Sequence, residues 1–227
     1  SGMTVPKLNQ GNLKKIPIPL PPLHEQKRIV DVLDTAFEGL TRARENVEAN
    51  LESARELFEN SATSIFTRAA KTAKLDQLGS YATFRNGLNF TQNSNGLPVR
   101  IVGVGDFKDL FWVPNNSLKT VQIDGNISPD DLLKYGDILA VRSNGNRALI
   151  GRTMLCDELD EPTSFSGFTI RIRIVKTDLD PEFTCHFLKT KVIREVLSQG
   201  GDGTNISNLN QGMLSALRVP ILPLNNQ

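Results

Sequence analysis

Residues 4–26, TVPKLNQGNLKKIPIPLPPLHEQ, return near the other end of the chain as residues 205–227, NISNLNQGMLSALRVPILPLNNQ. A constant offset of 201 residues relates the two copies without a gap, and nine of their 23 positions are identical. The identities include an unbroken Leu-Asn-Gln-Gly run, so a chance match between two proline-rich stretches is a poor explanation. Similarity at a fixed offset is typical of repeating architectures. The sequence therefore predicts one full period of a repeat, with the seam between periods present twice.

Each copy of the seam is predicted to form a polar turn, a short helix and a strand in which apolar residues and prolines alternate. Proline has no N–H to donate to a neighbouring strand, so this strand is expected at the edge of a sheet. After the first copy the chain leads into a long helix. After the second copy, the equivalent helix is expected to start at Gln227.

The long helix is predicted over residues 24–73, where residues 24–71 contain no proline and a single glycine, Gly39. Its apolar residues follow a heptad spacing and then an eleven-residue spacing, and the helix would be about 70 Å long. Such a stripe is too long to be buried in one small domain, so we expect a coiled-coil-forming spacer helix that pairs with another long helix. A plain amphipathic core helix is the alternative. The residues expected to contact a partner helix are Ile29, Leu33, Leu40, Val47, Leu51, Phe58 and Ile65.

Residues 74–227 change character and are predicted to form a globular α+β domain with a mixed sheet that ends in the repeated seam. β-branched residues and alternation predict its strands. One run, Thr169–Ile174, places isoleucine at every second position and therefore on one face. The expected strands are Tyr81–Arg85, Val99–Val104, Lys119–Ile123, Asp137–Ser143, Leu149–Leu155 and Ser164–Val175, and the expected helices are Asp130–Lys134 and Pro181–Gln199.

Composition and motifs argue against several classes of protein. The net charge is +1, and no apolar run approaches the roughly 20 residues that cross a bilayer. Two cysteines far apart in sequence suit free thiols in a reducing cytosol. With only two histidines and no P-loop, the chain offers little for a histidine-based triad or a zinc site. We expect a non-catalytic protein with no metal and no cofactor.

Two polar stretches stand out as candidates for recognising DNA. Residues 138–156 and 203–227 contain no acidic side chain. Arginine, asparagine and serine or threonine side chains are those that read base edges and hold phosphates, although an ordinary polar loop has the same composition. The candidate DNA-binding residues are Arg142, Ser143, Asn144, Asn146, Arg147, Thr204, Asn205 and Asn208.

The run from Leu8 to Ile29, with its LNQG and IPIPLPPLHEQKRI motifs, resembles the junction segment in specificity subunits of Type I restriction-modification systems. The later runs YGDILAVRSNG at 135–145 and GGDGTNIS at 200–207 resemble the recognition domain of that family. The resemblance covers nearly the whole chain. The junction motif is fairly specific, whereas the recognition domain varies within the family and its match is looser.

The resemblance implies two recognition domains and two spacer helices in pseudo-twofold arrangement, which read a bipartite site in double-stranded DNA. It implies methyltransferase and restriction subunits as partners, with S-adenosylmethionine bound by those partners. This sequence has one helix and one complete domain, which implies a half-size or silent-cassette form, or a piece of a longer subunit. Ser1-Gly2 looks like a tag remnant, and residues 3–23 would then close a preceding repeat.

A chain used in this form is expected to make a homodimer through antiparallel spacer helices, in the cytoplasm and without a membrane partner. The competing interpretation is a coiled-coil assembly module whose globular head binds protein and not DNA. That interpretation requires the long helix but not the polar stretches. Salt-dependent binding to duplex DNA would separate the two, because phosphate contacts weaken as salt rises.

Overall fold

The computed structural model describes residues 10–108, 110–199 and 208–227. The chain divides into two compact units, Ser1–Arg55 and Glu56–Gln227. Helix α1 spans Gln10–Leu13, and helix α2 spans Leu23–Thr72. The described residues contain no helix that is long and apolar enough to cross a membrane. The architecture is α+β, with a long helix followed by sheets, as expected from the sequence.

Nine strands of the described residues form three sheets. A four-stranded antiparallel sheet has the order β2-β8-β5-β6, and a three-stranded mixed sheet has the order β4-β3-β7. A two-stranded antiparallel sheet joins β1 and β9. The strands are β1 Lys74–Gln77, β2 Ala82–Asn86, β3 Leu97–Val102, β4 Lys119–Ile123, β5 Ile138–Val141, β6 Thr153–Leu155, β7 Thr163–Phe165, β8 Thr169–Ile174 and β9 Arg218–Ile221.

Strand β5 lies at the centre of the second unit and is buried on both faces. Ile138 and Ala140 belong to the apolar cluster that packs on the helices, and Leu139 and Val141 belong to the cluster on the opposite face. All four side chains are fully buried, which explains their continuous apolar run. Because β5 is fixed on both sides, the loop that leaves it is held on a rigid base.

Strand β8 confirms the predicted alternation. Ile170 and Ile172 join the cluster beside the helices, whereas Arg171 and Arg173 lie on the other face. Arg173 is paired with the fully buried Asp137 through Nε···Oδ1 at 2.6 Å and Nη2···Oδ2 at 2.7 Å. The arginines of β8 are therefore structural, held by ion pairs and by backbone carbonyls.

Three further helices cover the four-stranded sheet: α3 Pro181–Lys189, α4 Lys191–Gln199 and α5 Gln211–Ala216. The single helix predicted over Pro181–Gln199 was wrong in one respect, because Thr190 adopts an extended backbone conformation and divides it. The predicted helix Asp130–Lys134 was also wrong. Only a 3-10 turn, Pro129–Asp131, forms there, and Ser128 and Asp131 cap it.

Two predicted strands needed correction as well. The expected strand Leu149–Leu155 is a 3-10 turn at Arg147–Leu149 followed by the short strand β6. The expected strand Ser164–Val175 is two strands, β7 and β8, in different sheets. A tight turn at Ser166–Phe168 separates them, and there the N–H of Gly167 donates to the carbonyl of Leu88 at 2.7 Å.

The two seam copies share a short helix and one equivalent hydrogen bond but have very different surroundings. Gln26 Nε2 donates to the carbonyl of Pro21 at 2.7 Å, and Gln227 Nε2 donates to that of Leu222 at 2.6 Å, the equivalent bond. In the second copy Leu214 and Val219 are buried, whereas their counterparts Leu13 and Ile18 are 54% and 74% exposed.

The edge strand predicted for the seam therefore forms in only one copy. In the second copy Pro220 lies opposite Leu75, within the two-stranded sheet. In the first copy residues 17–22 have no regular secondary structure, so the strand predicted there was wrong. A strand needs a neighbour for its ladder of hydrogen bonds, and no described strand pairs with this segment.

Candidate nucleic-acid interface

Three strands of the four-stranded sheet bring their polar ends to one edge. Strands β2 and β5 both run antiparallel to β8, so they are parallel to each other and end on the same side, where β8 begins. The register places Asn86 opposite Ile170 and Val141 opposite Thr169. The loops that follow β2 and β5 and the turn that precedes β8 therefore meet.

Backbone hydrogen bonds join these loops to the second seam copy. The N–H groups of Arg142 and Ser143 donate to the carbonyl of Phe168 at 2.9 and 3.4 Å. The N–H of Leu209 donates to the carbonyl of Arg142 at 2.9 Å. We call this surface the polar edge and define it as residues Asn86–Asn89, Arg142–Ser143, Ser166–Thr169 and Asn208–Leu209. The two acid-free stretches of the sequence thus contact each other.

The charge of the polar edge follows from the segments that build it. Residues 77–105 and 162–177 contain no acidic side chain, and neither do residues 138–156 and 208–227. The acidic residues between these segments include Asp130, Asp131 and Asp137, which pair with arginines or cap a turn. A surface built from acid-free segments does not repel a polyanion, and duplex DNA is densely charged.

Arg142 is the candidate residue with the clearest chemistry at this edge. Its side chain is partly buried, and its Nε is a buried donor without a hydrogen-bond partner among the described residues. Buried donors are nearly always satisfied by protein or water, so such a group has spare hydrogen-bonding capacity. A guanidinium in this position can donate to a base edge or to a phosphate.

Asn144 and Asn146 give the loop its shape. The side-chain oxygen of Asn144 accepts from the N–H of Asn146 at 2.8 Å, and that of Asn146 accepts from the N–H of Ala148 at 3.0 Å. Each asparagine therefore uses its acceptor within the loop and keeps its amide N–H groups as donors.

Arg147 lies on a different surface from Arg142. It lines a groove of about 340 Å³ with Lys191 and Arg194, and Glu59 and Glu195 lie in the same groove. The groove thus carries both signs of charge. Of the other candidates, Asn208 is exposed beside Leu209, and Thr204 and Asn205 lie outside the described residues.

Asn89 and Phe168 also contribute to the polar edge, although neither was among the residues predicted from the sequence. Both are exposed, and the Phe168 side chain keeps 61% of its area in contact with solvent. The signal available in the sequence was the absence of acidic residues from 77–105 and 162–177. Residues 138–156 and 203–227 were singled out by the same signal.

The two cysteines and His186 of this unit are packed among other side chains. Burial raises the pKa of the Cys156 and Cys185 thiols to about 12, so both are protonated at neutral pH. Burial lowers the pKa of His186, whose ring stacks on Phe111 with centroids 4.2 Å apart. The described residues hold no group of three or more side chains able to bind a metal ion.

Comparison with solved structures supports the α+β architecture. A chain from a structure concerned with assembly and conformational transition of the type I R-M system is similar with a TM-score of 0.68 and 20% identity, covering 99% of this chain and 54% of that one. The HsdS subunit from Thermoanaerobacter tengcongensis is similar with a TM-score of 0.54 and 20% identity, covering 99% of this chain and 53% of that one. At these identities the likeness shows a shared fold.

Sequence comparison extends the likeness to a family. The family model for the Type I restriction modification DNA specificity domain matches residues 1–52. The StySPI specificity subunit of Salmonella potsdam is 26% identical over 239 residues, covering 100% of this chain and 51% of that subunit. The EcoKI specificity subunit of Escherichia coli K12 is 30% identical over 125 residues, covering 55% of this chain and 25% of that one. The chain spans about half the length of the StySPI subunit. In its junction segment, its long helix and its sequence, the chain is similar to specificity subunits of Type I restriction-modification systems.

Proposed function

We propose that the chain recognises a DNA sequence as a non-catalytic specificity subunit of a Type I restriction-modification complex. In that role the polar edge binds one half of a bipartite site in double-stranded DNA. Methyltransferase and restriction subunits supply the chemistry, and S-adenosylmethionine belongs to them. The assembly works in the cytoplasm, where these partners and the DNA are found.

The observation that carries this proposal is the meeting of four acid-free segments at the ends of β2 and β5 and the start of β8. It supplies a surface with little negative charge, and the backbone hydrogen bonds around Phe168 and Arg142 make its geometry fixed. Sequence-specific readout needs donors held at defined positions, because each must meet one base edge. Arg142 offers such donors, because its partly exposed guanidinium stands on a backbone that these bonds hold.

Replacing Arg142 by alanine tests the function. If Arg142 contacts a guanine, the variant loses about 1–3 kcal/mol of binding free energy on the cognate duplex and little on a duplex with that base pair changed. The measurement is equilibrium binding, by fluorescence anisotropy, of duplexes selected from a randomised pool by the chain bound to its methyltransferase.

The matched control is Lys134→Ala. Lys134 lies on the second unit in a groove lined by Asp157, Glu158, Asp160 and Glu161, where DNA is not expected. The control removes the same charge and should leave affinity unchanged. An equal loss for Arg142→Ala on every duplex would make Arg142 a phosphate contact. Failure of the complex to bind any duplex in a salt-dependent way would favour a protein-binding head.

We also propose the domain organisation expected from the sequence. Residues 1–23 are the closing segment of a preceding repeat, residues 24–73 are the spacer helix, and residues 74–227 are the recognition domain. The exposure of Leu13 and Ile18 supports the first assignment, because their counterparts Leu214 and Val219 are buried against a recognition domain.

The long helix is proposed to pair with the same helix of a second copy in antiparallel orientation. The support is a stripe of large apolar side chains that stay at least 40% exposed along α2. The two recognition domains of such a dimer would bind a symmetric DNA site with two half-sites separated by a spacer. The stripe consists of Ile29, Leu33, Leu40, Val47, Leu51, Phe58 and Ile65.

A further inference from the structure

Phe168 is an exposed aromatic residue on a turn that is otherwise buried. Its neighbours Ser166 and Thr169 are buried, whereas Phe168 is 61% exposed. Leaving a phenyl ring in water forgoes the free energy that its burial would contribute. Isolated exposed apolar residues are common, so the exposure alone indicates little. The rigidity and the surroundings of Phe168 indicate more.

The turn that carries Phe168 is fixed from several directions. The N–H of Phe168 donates to Oγ of Ser166 at 3.1 Å, and its carbonyl accepts from the N–H groups of Arg142 and Ser143. On the other side the N–H of Gly167 donates to the carbonyl of Leu88 at 2.7 Å. These hydrogen bonds hold the backbone that carries the ring in one position. A residue that contacts a ligand needs such a fixed position.

The surroundings of Phe168 select DNA as that ligand through charge complementarity. The turn lies in the polar edge, and each segment of that edge is acid-free. Its closest partners along the hydrogen-bonded backbone are Arg142 and Ser143, whose side chains suit base edges. An exposed phenyl ring beside such side chains can make an apolar contact with a base edge in the major groove. The apolar group that the major groove presents there is the C5-methyl of thymine.

We propose that Phe168 reads the C5-methyl group of a thymine within the DNA half-site. This inference rests on the proposed function and adds a specificity-determining residue to it. Phe168 supplies an apolar contact, and the adjoining Arg142 and Ser143 supply polar contacts.

The test replaces thymine by deoxyuridine, which lacks only the methyl group. Duplexes are first selected from a randomised pool by the chain bound to its methyltransferase, and each thymine of the selected site is then replaced in turn. At one position the wild-type protein should lose about fourfold in affinity, the effect of exposing one apolar carbon. Phe168→Ala should bind the thymine duplex that much more weakly and show no further loss with deoxyuridine.

Two controls separate this effect from misfolding and from general hydrophobicity. Tyr135 is 70% exposed beside the acidic segment 157–161, so Tyr135→Ala should keep both the affinity and the deoxyuridine effect. Phe168→Leu keeps an apolar side chain and should retain part of the deoxyuridine effect. Thermal unfolding of each variant verifies that the fold is intact.

Three results would overturn the inference. One is a wild-type protein that is indifferent to deoxyuridine at every position, and the second is a Phe168→Ala variant that keeps the full deoxyuridine effect. The third is a uniform loss by Phe168→Ala on all duplexes, which would indicate a wedge between bases and not a methyl contact. If no duplex can be selected with the wild-type protein, the proposed function itself fails and this inference fails with it.

Discussion

Asp137 shows how a single buried carboxylate organises the second unit. It is 1% exposed, its two oxygens accept from Nε and Nη2 of Arg173, and Oδ2 also accepts from the N–H of Lys134. The ion pair with Asp137 raises the pKa of Arg173, so the arginine stays charged although it is mostly buried. A charge pair of this kind is strongly destabilising when one member is removed, because the other is left without compensation.

Replacing Asp137 by alanine should therefore lower the free energy of unfolding by about 3–5 kcal/mol. The measurement is urea denaturation followed by the fluorescence of Trp112, the single tryptophan. Lys74→Ala is the control, since it breaks an exposed ion pair with Asp76 in the same unit and should leave the denaturation midpoint unchanged. Equal effects of the two variants would contradict the structural role of Asp137.

Sequence reasoning at the scale of residues identified the polar stretches but not their partners. Arg142 and Asn208 were singled out from composition, and the structure joins their segments through the hydrogen bond from Leu209 to Arg142. Nothing in the sequence distinguishes Arg142, which has a free donor, from Arg173, which is held by Asp137. That difference depends on contacts between distant segments, and Arg173 and Asp137 are 36 residues apart.

Elements were predicted well at their centres and poorly at their ends. Strand β4 was predicted with its observed bounds, Lys119–Ile123, and the long helix α2 was expected from its composition. The errors lie at breaks such as Thr190 and Ser166–Phe168, where packing interrupts a pattern that is locally continuous. Local propensity is a weak guide at such points because tertiary contacts override it.

The Asn-Gly pairs at residues 86–87, 95–96 and 144–145 illustrate this limit in physical terms. Such pairs favour hairpin turns because glycine tolerates a positive φ angle. Among the described residues, however, the glycines with positive φ are Gly125, Gly136 and Gly151, and none of these follows an asparagine. Gly87 is required for a different reason. A Cβ atom there would lie 2.3 Å from the carbonyl oxygens of Phe165 and Ser166.

Gly87→Ala should accordingly lower the free energy of unfolding by about 1–3 kcal/mol, since backbone atoms must shift to accept the methyl group. Thermal unfolding measures the effect, and DNA affinity should fall with it because the same contact positions the turn before Phe168. Gly145→Ala is the matched control in another Asn-Gly pair, where a Cβ atom meets nothing within 4 Å. Equal stability of the two variants would contradict this, because it would show that a methyl group at Gly87 fits without a shift of the backbone at Phe165 and Ser166.

At the scale of the whole molecule, the repeat could be predicted from the sequence alone. The pairing and burial of each seam copy could not. One copy pairs with β1 and buries Leu214 and Val219, and the other leaves the equivalent Leu13 and Ile18 exposed. Two related sequences thus lie in different environments, since only the second copy is paired with a neighbouring strand. Helix α2 likewise has both buried and exposed apolar side chains. Phe66 packs on Phe183 and Phe187, and Ala69 is buried, whereas Ile65 one turn earlier is exposed.

The remaining stripe of α2 leads to the prediction for the assembly. In an antiparallel pair of identical helices spanning residues 24–71, the twofold axis passes near the midpoint, beside Val47. Val47→Glu would place two carboxylates close together at that axis, where each is opposed by a like charge and loses water. The variant should raise the dimer dissociation constant at least about tenfold, a change of roughly 1.4 kcal/mol.

Sedimentation equilibrium over a range of protein concentrations measures that constant. Thr41→Glu is the control, since it adds the same charge to the same helix at an exposed position away from the stripe. It should leave the dimer intact, because its carboxylate stays in water. The antiparallel pairing is wrong if the wild-type chain sediments as a monomer at micromolar concentration, or if both glutamate variants dissociate equally. In either event the stripe from Ile29 to Ile65 would be covered by a helix from a different chain.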